Sequence, residues 1–304
     1  MNCINLKISD VFWGEEIRDN YKVSHEMKKV WAVELDLLNE LNRVCNKHNL
    51  KCIACAGTML GAIRHKGFIP WDDDVDVMLF RDDYEILCKV APSEFKYPYF
   101  FQTEQTDPGS YRGHAQLRNS ETTGILKSEL KSKLKINQGI FIDIFPLDNV
   151  PDDGNECTLF LKESKRLWNN FWCFKKMTIP PNFHRRNIFG LLKDLALFYL
   201  IPHSYAQKRC KECYVEYEDH QKKFNILETQ KVVTTPISVV TYYREDLKMT
   251  RVAPFEMVNI AVPLNSEKVL DYVYGNWRVP VIGTSFHGGV IFDTEKSYKE
   301  YIKD

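Results

Sequence analysis

The residues with the clearest chemical potential lie between Cys55 and Phe80, where Gly57 and Thr58 precede four carboxylates, Asp72, Asp73, Asp74 and Asp76, and the apolar run Val77, Met78, Leu79, Phe80 follows. Like charges this dense beside a buried strand repel unless a cation holds them. A hard divalent ion with oxygen ligands, Mg²⁺ or Mn²⁺, is the natural partner. Read as a strand, residues 72–80 place Asp72, Asp74 and Asp76 on one face and Val75, Val77 and Leu79 on the other, with Asp73 turned away from the other carboxylates. The competing reading is a solvated acidic turn, the usual fate of a charged run. A second strand, residues 139–148, carries Asp143 as the lone charge among Ile140, Phe141, Ile142, Ile144 and Phe145. A carboxylate buried there costs several kcal/mol unless it meets a metal or a cation. The alternative for Asp143 is a turn cap, a role that Asp148, after Pro146, fits better.

These carboxylates need elements to hold them. Residues 26–48 carry Val30, Trp31, Val33, Leu35, Leu37, Leu38, Leu41 and Val44 among charges, the pattern of a helix packing a broad face on a core. Residues 51–56 read as a strand and 59–65 as a short helix whose N-terminal amides suit phosphate. Gly67 and Pro70 break that helix before the aspartates. A helix is expected over 81–90, with strands over 113–118 and 139–145. Strands alternating with helices around separated carboxylates indicate an α/β (α+β) fold on a mixed sheet with flanking helices. After Pro151 the texture turns helical over 157–174 and 187–221, is β-rich over 231–243 and helical again over 265–274. Residues 1–150 are therefore expected to form a catalytic core, and 151–304 a mostly helical substrate region packed on it.

Gly57-Thr58, then Asp74-Val-Asp76-Val, then Ile142-Asp143-Ile144 resemble the nucleotidyltransferase superfamily pattern: a Gly-Ser/Thr turn, a strand with two alternating carboxylates and a later strand with a third. The run Gly-Thr-Met-Leu-Gly-Ala-Ile-Arg-His-Lys-Gly-Phe-Ile-Pro-Trp-Asp-Asp-Asp-Val-Asp, Gly57 to Asp76, more narrowly resembles the LicD family, phosphocholine transferases that decorate cell-surface glycans. Gln102-Thr103, Ala115-Gln-Leu-Arg-Asn119, residues 139–148 and Tyr274-Gly275-Asn-Trp277 match it too, and the pieces span Glu26 to His287. The gap from Thr58 to Asp74 is longer than in most nucleotidyltransferases, so Asp72 with Asp74 rivals Asp74 with Asp76 as the metal pair. The second pairing is preferred because Val75 separates its members and Val77 follows. Residues 151–250 carry few family landmarks.

The resemblance implies metal-dependent transfer of phosphocholine from CDP-choline to a hydroxyl of a cell-surface glycan, teichoic acid or lipopolysaccharide, or of its lipid-linked precursor, with release of CMP. Asp74, Asp76 and Asp143 would be the catalytic, metal-binding carboxylates. Gly57 and Thr58 would meet phosphate, and Arg64, His65, Lys66 and Arg118 would neutralise the leaving nucleotide, each being otherwise a surface cation. A quaternary ammonium calls for aromatic faces. Trp71 and Tyr111 are the choline-binding candidates, with Trp168, Trp172 and Trp277 more distant ones, although core packing is the ordinary use of such rings. Alternative donors are CDP-ribitol and CDP-glycerol, as the related fukutin proteins suggest. A non-catalytic nucleotide-binding protein is a further alternative, disfavoured because all three carboxylate positions are filled.

The chain has 304 residues, 44% of them hydrophobic, enough for one large domain or two small ones. Its 41 Lys and Arg balance 41 Asp and Glu, so no global field draws it to nucleic acid. The opening residues lack the pattern of a secretory leader, and no apolar run approaches the ~20 residues of a spanning helix, so a cytoplasmic location is expected. Residues 187–201, flanked by Arg185, Arg186, Lys208 and Arg209, suit either an interfacial helix on the inner membrane face or a buried core helix. Nine cysteines, an odd and scattered set, do not form a disulfide framework. The pairs Cys52/Cys55 and Cys210/Cys213 admit a zinc reading, ranked below ordinary core and helix cysteines; the first pair lies on a strand, where positions three apart face opposite ways.

Overall fold

A hairpin of β1 (Glu16–Arg18) and β2 (Tyr21–Val23) leads to Ser24, whose side chain accepts the Met27 amide and so caps helix α1 (His25–Lys47). The computed structural model describes residues 3–127, 129–130, 135–179, 188–234, 240–283 and 289–302. Arg185, Arg186, Asn187 and His287 lie outside the described residues. The apolar periodicity of α1 is realised as burial: Val30, Trp31, Leu35, Leu37, Leu38, Leu41 and Val44 are all in the main core. The chain continues through β3 (Ile53–Ala54), α2 (Ala56–Arg64), β4 (Asp76–Phe80), α3 (Arg81–Glu94), β5 (Tyr99–Gln102), β6 (Ala115–Asn119), β7 (Thr123–Leu126) and β8 (Ile140–Val150).

The main sheet has seven strands among the described residues. Strand β8 is its axis: β4 runs parallel to it, with Asp76 opposite Asp143, and β6 runs antiparallel on its other side, with Gln116 opposite Asp143. Strand β3 extends the sheet beyond β4, and β5 extends it beyond β6. Mixed pairing around a strand buried at nearly every position explains why residues 140–147 read as a continuous apolar run rather than an alternating one.

Beyond β8 come α4 (Gly154–Thr178), α5 (Ile188–Leu200) and α6 (His203–Lys222). Helices α4 and α6 pack together over a second core of Tyr111, Phe171, Cys210, Cys213 and Tyr214, with Trp168 and Trp172 against it. The apolar stretch after residue 187 is interrupted at Pro202, which cannot continue a helix. The chain then returns to strands: β9 (Lys231–Val233) pairs with the end of β8, and β10 (Tyr242–Tyr243) pairs with β9. After α7 (Arg244–Lys248), β11 (Thr250–Phe255) and β12 (Val258–Pro263) form a hairpin, α8 (Ser266–Tyr274) follows, and β13 (Val290–Asp293) pairs back onto β7. Residues after 222 are thus woven into the sheet and its neighbours, not confined to a helical annex.

Candidate functional site

Strand β4 starts at Asp76, and Asp72 to Val75 precede it without strand pairing. The face alternation expected from residue 72 therefore does not operate there. Asp72, Asp73 and Asp74 instead converge, one carboxylate oxygen of each lying within 4.8 Å of the others. This corrects the placement of Asp73, which joins the acidic group rather than turning away from it. The segment is pinned from three sides. The Trp31 indole N–H donates to the Asp72 carbonyl at 3.0 Å, the Asp143 amide to the Val75 carbonyl at 2.9 Å, and the Asp76 amide to the Thr58 hydroxyl oxygen at 2.8 Å. Thr58 thus ties α2 to the start of β4. At Gly57 a Cβ would come within 2.8 Å of an Asp72 carboxylate oxygen, so glycine here admits that carboxylate to the helix N-terminus. The left-handed turn into α2 is made by Ala56, at φ 43°.

Asp76 and Asp143 face each other across β4 and β8 in opposite surroundings. Burial, with Asp74, Asp143 and Asp72 nearby, pushes the Asp76 carboxyl well above its ordinary range. Burial would raise Asp143 too, but His114 and the amide of Gln116 outweigh it and hold Asp143 below its ordinary range. The Gln116 amide donates to Asp143 Oδ1 at 2.5 Å and His114 Nε2 to the same oxygen at 3.2 Å. Behind them, Arg118 donates to the Gln116 carbonyl oxygen at 2.5 Å, to Gln102 at 2.6 Å and to the Gly139 carbonyl at 2.7 Å, with its guanidinium over Phe141. The Asp143 carboxylate, expected to meet a metal or a cation, thus sits in a cradle built by the protein itself.

A carboxylate that sequence reasoning missed lies on α1. Glu34 is 1% exposed, and its Oε2 has no hydrogen-bond partner. Burial pushes its carboxyl well above the ordinary range, with Asp74, Asp73, Asp72 and Asp76 adding to the push. Asp36, two residues on, shows the contrast: it is also buried, but accepts the Asn5 and Leu6 amides and the Tyr99 hydroxyl. An orphaned buried carboxylate oxygen beside converging aspartates, with oxygen as the donor type throughout, fits a hard divalent cation. The only hint in the sequence was a glutamate inside the apolar face of a helix.

The acidic group opens into a cleft of about 380 Å³ whose wall includes Gly57, Arg64, Trp71, Asp72, Asp73, Asp74, Asp76, Tyr274 and Trp277. The structure thus brings Trp71 and Trp277, 206 positions apart in the numbering, to one cavity with the carboxylates. Arg64 is held there by donating to the Trp277 carbonyl at 2.5 Å. Other candidates lie elsewhere. His65 bonds Asp19 at 2.6 Å, and Lys66 is exposed at φ 58°, where its carbonyl accepts the Glu256 amide. Helix α2 ends at Arg64, and neither His65 nor Lys66 beyond it is among the residues that line the cleft. Arg118 is buried in the sheet behind Gln116, and Tyr111 is packed against Phe171 and Tyr214, where Trp168 and Trp172 also gather. No cysteine joins a metal-type cluster among the described residues; Cys52 and Cys55 are core residues, and Cys210 and Cys213 lie in α6.

Comparison with known proteins agrees with this geometry. Residues 49–190 match the family described as LicD/FKTN/FKRP, nucleotidyltransferase domain. The lipopolysaccharide cholinephosphotransferase LicD of Haemophilus influenzae is 32% identical over 151 residues, 49% of this chain and 55% of that protein. An uncharacterized protein of Rickettsia prowazekii is 38% identical over 56 residues, 18% of this chain and 21% of its own length. One of Rickettsia typhi is 40% identical over 76 residues, 25% and 23% respectively. The chain therefore spans about half the length of the first of these relatives and less of the others. Residues 49–190, which hold the aspartate group, α2 and the cradle of Asp143, are thus the part of this chain that is similar to the LicD nucleotidyltransferase domain.

Proposed function

We propose that the protein transfers phosphocholine from CDP-choline to a hydroxyl of a cell-surface glycan or its lipid-linked precursor, releasing CMP. The observation that carries this reading is the cleft in which four aspartates, one arginine and the rings of Trp71, Tyr274 and Trp277 share a wall. A CDP-alcohol presents a diphosphate and, for choline, a trimethylammonium; carboxylates with a cation suit the first and aromatic faces the second. The cholinephosphotransferase named among the relatives supports the same donor alcohol.

Asp72, Asp73, Asp74 and Asp76, with Glu34 behind them, would hold a divalent ion, Mg²⁺ or Mn²⁺, which when bound neutralises the diphosphate and the charge developing on it. Arg64, fixed by the Trp277 carbonyl, lines the cleft and would meet the departing CMP there. Gly57 and Thr58 lie in the first turn of α2, whose N-terminus favours an anion. Asp143, oriented by Gln116 and His114, would accept a hydrogen bond from the incoming hydroxyl and orient it. Trp71, braced edge-on by Tyr21 at 5.9 Å, would present a ring to the choline.

Helix α5 supports membrane contact during catalysis on a lipid-linked acceptor. None of its residues is buried, and Ile188, Phe189, Leu192, Tyr199 and Leu200 are exposed. Among the described residues no helix is long and apolar enough to cross a membrane, so this contact would be interfacial. Co-sedimentation with anionic vesicles checks it, and absence of pelleting at low salt removes it.

The donor is tested by incubating the protein with CDP-choline, CDP-ribitol or CDP-glycerol and Mg²⁺ while following CMP. CDP-choline should be consumed fastest, and CTP alone should yield no pyrophosphate. Faster CMP release from CDP-ribitol would overturn the choline assignment and leave the transferase reading in place.

A further inference from the structure

A second cavity, of about 360 Å³, lies on the other side of His114, between α3, α6 and residues 103–114. Its wall includes Tyr84, His114, Tyr214, Tyr217 and Gln221. Gln221 is 4% exposed, yet neither its Nε2 nor its Oε1 has a hydrogen-bond partner. His114 donates through Nε2 to Asp143, while its Nδ1 is buried without a partner. A cavity that keeps a buried donor and two buried acceptors unpaired is built for a ligand able to give and to take hydrogen bonds at close spacing, as hydroxyl groups do.

The charges of the wall narrow the class. Arg81, Lys89 and Lys222 are matched by Glu85, Glu104 and Glu218. Several are already bonded to one another: Arg81 to Glu85 at 3.3 Å, and Lys222 to Glu85 at 3.1 Å and to Glu218 at 3.3 Å. Arg81 is further held by Asp148 at 2.6 Å, so the charges nearly cancel and leave no strong excess to select a highly charged ligand, and the tyrosines add ring edges and apolar surface. Neutral polyhydroxylated rings meet all of these features. The cavity also touches the candidate reaction centre through one side chain, since His114 lines it and reaches Asp143 at 3.2 Å.

We infer that this cavity is a sugar subsite for the acceptor, in which Gln221 and His114 bond hydroxyls of a neutral ring and bring it alongside Asp143, opposite the nucleotide cleft. The inference rests on the transferase reading above and adds to it the place and chemical class of the acceptor unit.

Saturation-transfer NMR with free glucose, galactose, N-acetylglucosamine and N-acetylgalactosamine tests it, each with and without saturating CMP. At least one sugar should receive saturation at its ring protons, and CMP should not displace it. Gln221→Leu, or Gln221→Met if the branched side chain does not fold, should weaken that sugar by about tenfold or more, the scale of a lost directional contact, while CMP still binds. No signal from any sugar, or a signal unchanged in the Gln221 variant or abolished by CMP, overturns the subsite. Sugar binding that depends on Gln221, in a protein that consumes no CDP-alcohol, would support the subsite and count against the transferase reading.

Discussion

The two sides of the β4–β8 seam deal with buried carboxylates in opposite ways. On β8, Asp143 has its charge met by the protein itself, through Gln116, His114 and the arginine that fixes Gln116. On the β4 side, Asp76 and the three aspartates before it crowd together, and Glu34 keeps an orphaned buried oxygen near them. A satisfied carboxylate stabilises the fold without help. Crowded carboxylates repel one another, so under the proposed metal binding a cation would add to stability on that side and link binding energy to folding energy. The difference would then separate a preorganised part of the site from a ligand-dependent one.

The largest effects should come from the crowded side. Asp74→Asn and Asp76→Asn should each lower CDP-choline turnover by on the order of 10³ or more, since an amide is a poor ligand for a hard cation. The same changes should leave metal-free thermal stability equal or higher, because repulsion is relieved. Asp73→Asn should impair turnover too, given its place in the converging group. Unimpaired turnover in Asp76→Asn at saturating Mg²⁺ would dissolve the comparison.

The satisfied side should respond through folding instead. Arg118→Met leaves Gln116, Gln102 and the Gly139 carbonyl without their donor and should destabilise the protein by about 1–3 kcal/mol or more in urea unfolding. Gln116→Leu should cost about 1–3 kcal/mol by leaving Asp143 under-bonded. If either variant unfolds like the parent, the cradle is not what holds Asp143.

Titration sharpens the contrast because the two sides have opposite signs. Asp143 is held low, so its stabilisation is present above its unfolded value of 3.8 and is lost as pH falls through the depressed value. Asp76 and Glu34 are raised, so their stabilisation is full below 3.8 and 4.5 and is lost as pH rises through the raised values. Metal-free protein should therefore lose stability as pH rises above the ordinary carboxylate range, and Mg²⁺ should restore most of the loss. Unfolding curves that show no Mg²⁺ dependence at the upper end would contradict the assignment of the crowded side.

The smallest expected effect is at the aromatic end of the cleft. Trp71→Ala should weaken CDP-choline by about 0.5–2 kcal/mol, a few-fold to some thirtyfold, without changing Mg²⁺ affinity. A donor analogue with a neutral tert-butyl group in place of the ammonium should lose a similar amount against the parent protein and less against the variant. Equal losses in both would place the choline elsewhere.

Local pattern made much of this molecule legible. The apolar period of α1, the strands around Asp76 and Asp143, and the glycine-to-aspartate block were readable because helix and strand periodicities act over a few residues. The LicD resemblance rested on that block. The register of the aspartates was not readable, because strand pairing begins at Asp76 and nothing in the spacing of residues 72–75 marks the boundary. Nor were the partners of the site. Glu34, the Gln116 and His114 cradle, and the meeting of Trp71 with Tyr274 and Trp277 depend on which faces of distant elements pack together. Identical residue types stood at Tyr111, Trp168 and Trp172, and the fold placed these in the α4–α6 core instead. Residue type and short-range spacing determine what chemistry is available; burial and long-range packing decide which of those groups share a cavity and which are neutralised by their neighbours.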